Sequence, residues 1–201
     1  MKISCIALAG GKSTRLGRNK LTEIVGDKTL FFRVISNLAL FESEIIVVTS
    51  DPSNIPQDID NPKITIIKDI FPDKGSLGGI YTGLAASKTF YNLVVAGDMP
   101  FLNHELLSYF VSQAEGYDLV AFNKDNKFEP LHAVYSKNCI TPLENMIQQS
   151  NVRIIELLKL VKARMISQEE IDRIDPRHLS FFNINTNGDL KTARELVGNT
   201  R

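Results

Sequence analysis

Apolar residues in the first half of the chain follow two kinds of pattern. Short continuous runs at Ile3–Leu8, Ile45–Thr49 and 64–67 are rich in β-branched side chains and are bounded by glycine, proline or polar residues. Such runs predict strands buried in a parallel sheet. Thr29 is placed to cap the N-terminus of a helix. After it, apolar residues recur at helical spacing, namely Leu30, Phe31, Val34, Ile35 and Leu38.

The same patterns continue through the rest of the chain. Ser76 is placed to cap a helix over about 76–88, and a strand over 93–96 ends at Gly97-Asp98. The other predicted strands are 118–122, 132–135, 163–167 and 181–184, and the other predicted helices are 103–114, 138–149, 152–160 and 187–197. Strands and helices therefore alternate along most of the chain.

This alternation predicts an α/β fold, a doubly wound three-layer sandwich with a mostly parallel sheet. With 201 residues, of which 43% are hydrophobic, the chain is expected to form a single domain over 1–201. Ligands of such sheets bind at the carboxyl ends of the strands, where the strand order reverses. The loop after the first strand and Asp98 both fall on that edge, so the site is predicted there.

Charge and cysteine content exclude several function classes. The chain has 23 basic and 23 acidic residues, so no overall attraction to nucleic acid or to a membrane surface is expected. The apolar run near the N-terminus is too short to span a membrane, and a cytoplasmic location is expected. Cys5 and Cys139 show neither disulfide nor zinc-site spacing and are expected to be buried and reduced. The three histidines are expected to be structural or on the surface, namely His104, His132 and His178.

The loop LAGGKSTRLGRNK, which follows the first strand, contains the parts of an anion-binding site. It is not a P-loop, because that motif requires glycine where Ile6 stands, and it lacks the GxGxxG spacing of dinucleotide-binding loops. Gly10 and Gly11 let backbone N–H groups approach a ligand. Four cations follow within nine residues, namely Lys12, Arg15, Arg18 and Lys20. A solvated basic turn is the alternative, but the paired glycines and the position after the first strand favour a functional loop.

Asp98 has two interpretations. An aspartate in Gly97-Asp98-Met99-Pro100 is an ordinary turn residue. It is also well placed to hold Mg²⁺, which binds through one or two carboxylates together with substrate phosphates. Its position at the carboxyl end of an apolar strand favours the metal ligand.

Five ordered blocks resemble nucleotidyltransferases of the molybdenum cofactor guanylyltransferase type. The blocks are LAGGKSTRLGRNK, KGSLGGIYTGL, VVAGDMPFL, EPLHAVYSK and FFNINTNGDL. The resemblance implies a Rossmann-like nucleotidyltransferase fold. It also implies transfer of GMP from GTP to the terminal phosphate of molybdopterin cofactor, with Mg²⁺ as cofactor and pyrophosphate as second product. Further implied partners are molybdenum-insertion proteins and the molybdoenzymes that accept the product.

The resemblance also implies roles for individual residues. The implied nucleotide-binding residues are Leu8, Ala9, Gly10, Lys20, Asp69 and Asp98, the implied catalytic residues are Arg15, Lys20 and Asp98, and the implied metal ligand is Asp98. The implied pterin-binding residues are Arg153, Asn183 and Asn185. Lys12 and Arg18 receive no role. The chain departs from the common family pattern at Asn19, Ser76 and Asn187-Gly188, none of which is an implied phosphate or metal ligand.

Base choice depends on Gly10. Guanylyl-transferring members carry glycine here, whereas cytidylyl-transferring relatives carry alanine, and a glycine lets the larger purine lie closer to the backbone. GTP is therefore favoured, although one methyl group contributes only a modest preference. Two alternatives stay open: a related nucleotidyltransferase that uses CTP or acts on a sugar phosphate, and a non-catalytic nucleotide-binding subunit.

Overall fold

The computed structural model describes residues 1–10, 18–56, 61–124 and 127–198. The strands are β1 (Ile3–Leu8), β2 (Ile24–Val25), β3 (Lys28–Thr29), β4 (Ile45–Thr49), β5 (Ile64–Lys68), β6 (Tyr91–Ala96), β7 (Leu119–Lys124), β8 (Lys127–Ser136) and β9 (Ala163–Ile166). The α-helices are α1 (Leu30–Ala39), α2 (Gly75–Ala86), α3 (His104–Ser112), α4 (Ile140–Gln148), α5 (Gln168–Ile174) and α6 (Asn187–Gly198). Short 3₁₀ helices occupy Lys20–Thr22, Pro52–Asn54, Pro72–Lys74, Lys137–Cys139, Ile154–Lys159 and Leu179–Phe181.

Seven strands form one sheet in the order β5-β4-β1-β6-β8-β7-β9, and β2 and β3 form a separate hairpin. The pairs β5–β4, β4–β1, β1–β6 and β7–β9 are parallel. β8 runs antiparallel to both β6 and β7. The chain moves from β1 to one side through β4 and β5 and returns on the other side at β6, so the strand order reverses between β1 and β6. The predicted fold class is confirmed.

Helices cover both faces of the sheet. β1 alternates between two of the hydrophobic clusters, one on each face of the sheet, with Cys5 and Ala7 in one and Ile6 in the other. The first cluster also contains apolar residues of α1 and α3, and the second contains those of α2 and α4. This is a three-layer arrangement, because a strand buried on both faces requires a helical layer on each side.

Local capping explains where two predicted helices begin. Thr29 is the N-cap of α1, where its hydroxyl oxygen accepts from the backbone N–H of Phe32 at 3.1 Å. Asn103 caps α3 in the same way, accepting from Leu106 N–H at 3.1 Å. Both side chains satisfy backbone donors that the first helical turn leaves unpaired.

Three local predictions were wrong. Ser76 does not cap α2, because the helix already begins at Gly75 and Lys74 holds the N-cap position without a side-chain hydrogen bond. The segment 152–160 contains a 3₁₀ helix, Ile154–Lys159, in place of an α-helix. The segment 181–184 is not a strand: the backbone N–H of Ile184 donates to the carbonyl of Asp98, in the loop after β6, at 3.0 Å. The helix α5 and the β2–β3 hairpin were not predicted.

Two further findings bear on the expected environment of the protein. Among the residues that the structure describes, no helix is long and apolar enough to cross a membrane. Cys5 and Cys139 are free and buried, and burial raises the pKa of each thiol to about 12. Both thiols are therefore protonated at neutral pH and act as small apolar core residues.

Candidate functional site

A cleft of about 620 Å³ opens at the carboxyl edge of the sheet, beside the β1–β6 junction. Segments after β1, β4, β5 and β6 line it, together with the start of α2. All six residues predicted to bind the nucleotide are on its lining, namely Leu8, Ala9, Gly10, Lys20, Asp69 and Asp98. The sheet therefore brings together residues that are up to 90 positions apart in the chain.

Hydrogen bonds on both sides fix the end of β1. The backbone N–H of Ala9 donates to Val48 at 2.8 Å, and that of Gly97 donates to Leu8 at 2.9 Å. A Cβ atom at Gly97 would lie 3.1 Å from the carbonyl oxygen of Leu8, a tight contact that the end of β1 could accept only by shifting a few tenths of an ångström. Among the described residues, a Cβ atom at Gly10 would have only the backbone nitrogen of Ser50 within 4 Å, at 3.8 Å. Packing against the described residues therefore does not require glycine at position 10.

Lys20, Asp98 and Asn185 meet at one point. The ammonium of Lys20 donates to Asp98 Oδ2 at 2.5 Å and to Asn185 Oδ1 at 3.2 Å. The side chains of Lys20 and Asp98 are 16% and 12% exposed, so water screens this ion pair only partly. The arrangement offers a cation for phosphate oxygens and a carboxylate for a metal ion on the same edge of the sheet.

Asp98 fits a magnesium ion that is shared with a nucleotide. In the described part of the chain, no group of three or more histidine, cysteine or acidic residues is arranged to hold a metal by protein ligands alone. Mg²⁺ does not need such a cage, because it commonly uses one or two carboxylates together with substrate phosphates and water. A single carboxylate on the cleft lining suits that mode of binding.

Asp69, which follows β5, is fixed on the opposite wall of the cleft by α2. Its Oδ1 atom accepts from the hydroxyl of Thr82 at 2.8 Å and from the backbone N–H of Phe71 at 2.9 Å. Its own N–H donates to Thr49 at 2.7 Å. These bonds hold one carboxylate oxygen in place. Thr82 was missed in the sequence because it lies inside a glycine-rich helix, where its hydroxyl has no recognisable spacing.

Asn19 joins two loops at the mouth of the cleft. Its Oδ1 accepts from Leu21 N–H at 3.1 Å and so caps the 3₁₀ helix that begins at Lys20, while its Nδ2 donates to the carbonyl of Asn54 at 2.5 Å. Asn54 also lines the cleft. The amide thus holds Lys20 and the loop after β4 in a fixed relation, which an aspartate could not do because it has no donor.

The remaining predicted residues have different positions. Arg15 and Lys12 lie outside the described residues. Asn183 donates from Nδ2 to the carbonyl of Phe181 at 3.1 Å, and Arg153 is 75% exposed and lies 3.7 Å from Glu156. Neither is on the described lining of the cleft. Arg18 pairs with Glu23 at the surface.

The histidines take no part in the described lining of the cleft. His132 is fully buried, and burial lowers its pKa to about 4. His178 hydrogen-bonds Asp172 at 2.5 Å, and the ring of His104 lies 4.6 Å from that of Phe41. A reaction in this cleft would therefore use cations and a carboxylate, without a histidine as general base.

The fold and the cleft together define an α/β nucleotide-binding protein, since the candidate residues lie where doubly wound sheets bind such ligands. Residues 5–164 match the family described as the MobA-like NTP transferase domain. The chain belongs to this family.

Similar proteins cover nearly the whole chain. A protein of Pelotomaculum thermopropionicum named "probable molybdenum cofactor guanylyltransferase" is 32% identical over 98% of this chain and 94% of its own length. The molybdenum cofactor guanylyltransferase of Desulfosudis oleivorans is 30% identical over 97% of this chain and 96% of its own. The crystal structure of molybdopterin-guanine dinucleotide biosynthesis protein A from Archaeoglobus fulgidus superimposes with a TM-score of 0.83 at 28% identity, covering 98% of this chain and 99% of that one.

Proposed function

We propose that this protein transfers GMP from GTP to the terminal phosphate of molybdopterin cofactor, forming the guanine dinucleotide of the cofactor and pyrophosphate. The observation that carries the proposal is the meeting of Lys20 with Asp98 and Asn185, in which Lys20 and Asp98 share the cleft lining with Gly10. The names and near-complete coverage of its relatives support the same reaction.

The reaction requires no general base from the protein. An oxygen of the pterin phosphate, already an anion at neutral pH, attacks the α-phosphorus of GTP. A new P–O bond forms as the bond between the α-phosphorus and the bridging oxygen to the β-phosphorus breaks, and pyrophosphate leaves with that electron pair. What the protein must supply is alignment and neutralisation of negative charge.

Each proposed site residue has a part in that task. The backbone of Leu8–Gly10 holds the nucleotide, and Asp69 binds its ribose or base from the opposite wall. Lys20 places its ammonium against the phosphates and stabilises the charge that develops on pyrophosphate. Arg15 is proposed to assist Lys20.

Asp98 is the proposed ligand of Mg²⁺. When bound, the ion neutralises phosphate charge and polarises the phosphorus that is attacked. The hydrogen bond from Lys20 holds the Asp98 side chain in place on the cleft lining in the free protein.

The pterin substrate is proposed to bind through Asn183, Asn185 and Arg153. The contact between Asn185 and Lys20 supports a pterin site that adjoins the leaving-group site. Molybdenum-insertion proteins and acceptor molybdoenzymes are the proposed protein partners. A cytoplasmic location accompanies this proposal, in keeping with two buried free thiols.

We also propose that 1–201 acts as a single domain. α6 lies beyond the residues that match the family, yet its residues Leu190 and Ala193 share a hydrophobic cluster with Val25 and Leu30. This packing supports a common core for both ends of the chain.

A nucleotide panel tests the proposed reaction. Pyrophosphate release is measured from GTP, CTP, ATP and UTP, each with Mg²⁺ and with or without molybdopterin cofactor. Release is expected from GTP only when the pterin is present. Preference for CTP, or turnover with a sugar phosphate in place of the pterin, would assign a different nucleotidyltransferase activity. Binding of GTP without release under all conditions would indicate a non-catalytic subunit.

Gly10→Ala tests base choice in the same panel. The variant is expected to fold normally, because the nearest non-neighbouring atom among the described residues would be 3.8 Å from the added Cβ. It should raise the KM for GTP by about three- to tenfold and change that for CTP less, in keeping with the small energy of one methyl group. If the ratio of the two KM values is unchanged, Gly10 does not determine which base is selected.

A further inference from the structure

The segment 179–185 places Asn185 against Lys20, although the segment itself is not part of the sheet. Ser180 is its buried anchor, with no exposed surface. The hydroxyl oxygen of Ser180 accepts from the backbone N–H of Asn103 at 3.0 Å and lies 2.7 Å from His132 Nε2, with which it shares a hydrogen bond. One side chain therefore links this segment to the start of α3 and to β8.

The backbone at the anchor is fixed as well. The N–H of Ser180 donates to Asp175 Oδ2 at 2.8 Å, and that of Leu179 donates to Asp175 Oδ1 at 3.2 Å. Asp175 follows α5 and is itself buried. Ser180 is thus tied to three separate elements, which is far more than the turn of chain around it requires.

Burying the polar ring of His132 costs free energy unless the ring is hydrogen-bonded. Its ring packs against Phe110 and Phe181, with centroids 5.1 Å and 4.4 Å away. Its Nδ1 atom is buried without a hydrogen-bond partner in the described part of the chain, so the bond between Nε2 and Ser180 is the one that the ring makes there. A buried polar group with half of its hydrogen-bonding capacity unused calls for an explanation.

Two routes connect the anchor at Ser180 with Asp98 in the candidate site. His132 on β8 pairs in register with Val95 on β6, and Asp98 follows three residues after Val95. On the other side, Ile184 lies four residues after Ser180 and donates its N–H to the carbonyl of Asp98 at 3.0 Å. The segment is therefore held at Ser180 and again at Ile184, and the next residue is Asn185.

We propose that Ser180, held by His132, is a positioning residue that sets the place of Asn185 against the Lys20–Asp98 pair. Its effect on turnover rests on the proposed function, whereas its effect on the segment 179–185 does not. Two measurements therefore separate the two claims.

The first measurement is amide hydrogen exchange of Ile184 in the free protein, compared between wild type, Ser180→Ala and Ser87→Ala. Ser87 is a matched control, because it is also buried and its hydroxyl donates to the carbonyl of Leu84, at the far end of α2. Ser180→Ala is expected to speed exchange at Ile184 by about tenfold, through the loss of buried hydrogen bonds, and Ser87→Ala by less than about twofold. Equal exchange in wild type and Ser180→Ala would overturn the proposal.

The second measurement is a double-mutant cycle on kcat/KM with molybdopterin varied. Ser180→Ala is expected to lower kcat/KM by about tenfold in the wild-type background and by less than about twofold in Asn185→Ala, because it acts through Asn185. Independent, multiplying losses would show a general structural role and overturn the proposal.

Two safeguards keep both tests decisive. If Ser180→Ala does not fold, His132→Phe replaces it in both measurements, since it keeps the ring packing and removes the bond to Ser180. If the wild type shows no pyrophosphate release, the proposed function fails, and the exchange measurement alone decides the positioning claim.

Discussion

Lys20 and Asp98, 78 residues apart in sequence, each have the other as an ionic partner in the free protein. The pair has two consequences at the scale of single residues. It neutralises a carboxylate and an ammonium that are mostly removed from water, and it prepares both groups to exchange that partner for a metal ion or a phosphate. A polyphosphate with its metal ion offers both replacements at once.

The first prediction concerns Asp98→Asn. The amide keeps an oxygen for Lys20 but loses the charge that a divalent cation requires. Mg²⁺-dependent pyrophosphate release is therefore expected to fall by roughly 100-fold or more. The free energy of unfolding is expected to fall by about 1–3 kcal/mol, because Lys20 keeps a hydrogen-bond acceptor but loses its ionic partner in a mostly buried site. Steady-state kinetics and urea unfolding measure the two effects. Asp27→Asn is the control, since Asp27 is an exposed acid paired with Arg33. Full activity of Asp98→Asn would contradict the metal assignment.

The second prediction concerns Asn19→Asp. Aspartate keeps the oxygen that caps the 3₁₀ helix but replaces the donor to Asn54 by a second oxygen facing a carbonyl. The KM for GTP is expected to rise about fivefold, the equivalent of one lost hydrogen bond, with little change in stability. Thr22→Ala removes a different hydrogen bond to Asn19, that from the Thr22 hydroxyl to its carbonyl, and serves as the control. Equal KM values for the two variants would show that the hydrogen bond from Asn19 to Asn54 has no role in nucleotide binding.

At the scale of elements, α2 lies unusually close to its neighbours. A Cβ atom at Gly83 would be 2.6 Å from a side-chain carbon of Ile6 on β1, and one at Gly79 would be 3.2 Å from Leu8. Gly78 faces the connection from β5, where a Cβ would lie 2.2 Å from the carbonyl oxygen of Phe71. The glycines of this helix let it approach the edge of the sheet that forms the cleft.

The third prediction is that Gly78→Ala disturbs both stability and nucleotide binding. The clash is with a backbone atom that cannot rotate away, so the free energy of unfolding should fall by about 2–3 kcal/mol. The KM for GTP should also rise, because Phe71 N–H binds the carboxylate of Asp69. Urea unfolding and kinetics test the pair of effects. At Gly188, on α6, the nearest atom among the described residues outside the helix backbone would be Thr186 Oγ1, at 3.5 Å from an added Cβ, so Gly188→Ala should change stability by less than about 1 kcal/mol.

Element prediction succeeded where the hydrophobic period and the capping residue agreed. The run 45–49 and the helix capped by Thr29 are examples, and the edge that carries Gly10 and Asp98 followed from the order of strands. The strand prediction for 181–184 was wrong because the apolar residues of this segment look like a strand in sequence. In the structure, the N–H groups of Phe181 and Phe182 donate to carbonyls of the preceding turn, and that of Ile184 donates to the loop carbonyl of Asp98. The contact between Lys20 and Asn185 depends on where that segment packs, so local sequence pattern does not determine it.

At the scale of the whole molecule, the segment 179–185 is held by elements that are far apart in the sequence. β8 supplies His132, and α5 leads into Asp175. Such a distributed anchor couples the cleft to global stability, because loss of the buried histidine environment is possible only when the core opens.

The fourth prediction follows from that coupling. Burial lowers the pKa of His132 from 6.5 to about 4, so the unfolded chain binds a proton more readily than the folded protein between these values. The contribution of His132 to stability is therefore fully present above about pH 6.5 and is lost as pH falls towards 4. The total loss is about 3 kcal/mol. His132→Phe should remove this dependence of the free energy of unfolding on pH.

Urea unfolding at intervals from pH 7.5 to pH 3 measures the slope, and a second variant separates it from carboxylate effects. At Glu170, burial raises the pKa, but hydrogen bonds from Tyr109 and Ser167 and the charge of Arg164 outweigh it and lower the pKa to about 2. Glu170 contributes stability that is lost as pH falls from about 4.5 to 2, so Glu170→Gln should leave the slope above pH 5 unchanged. If His132→Phe retains the wild-type slope between pH 6.5 and pH 5, the histidine is not the group that makes folding sensitive to acid.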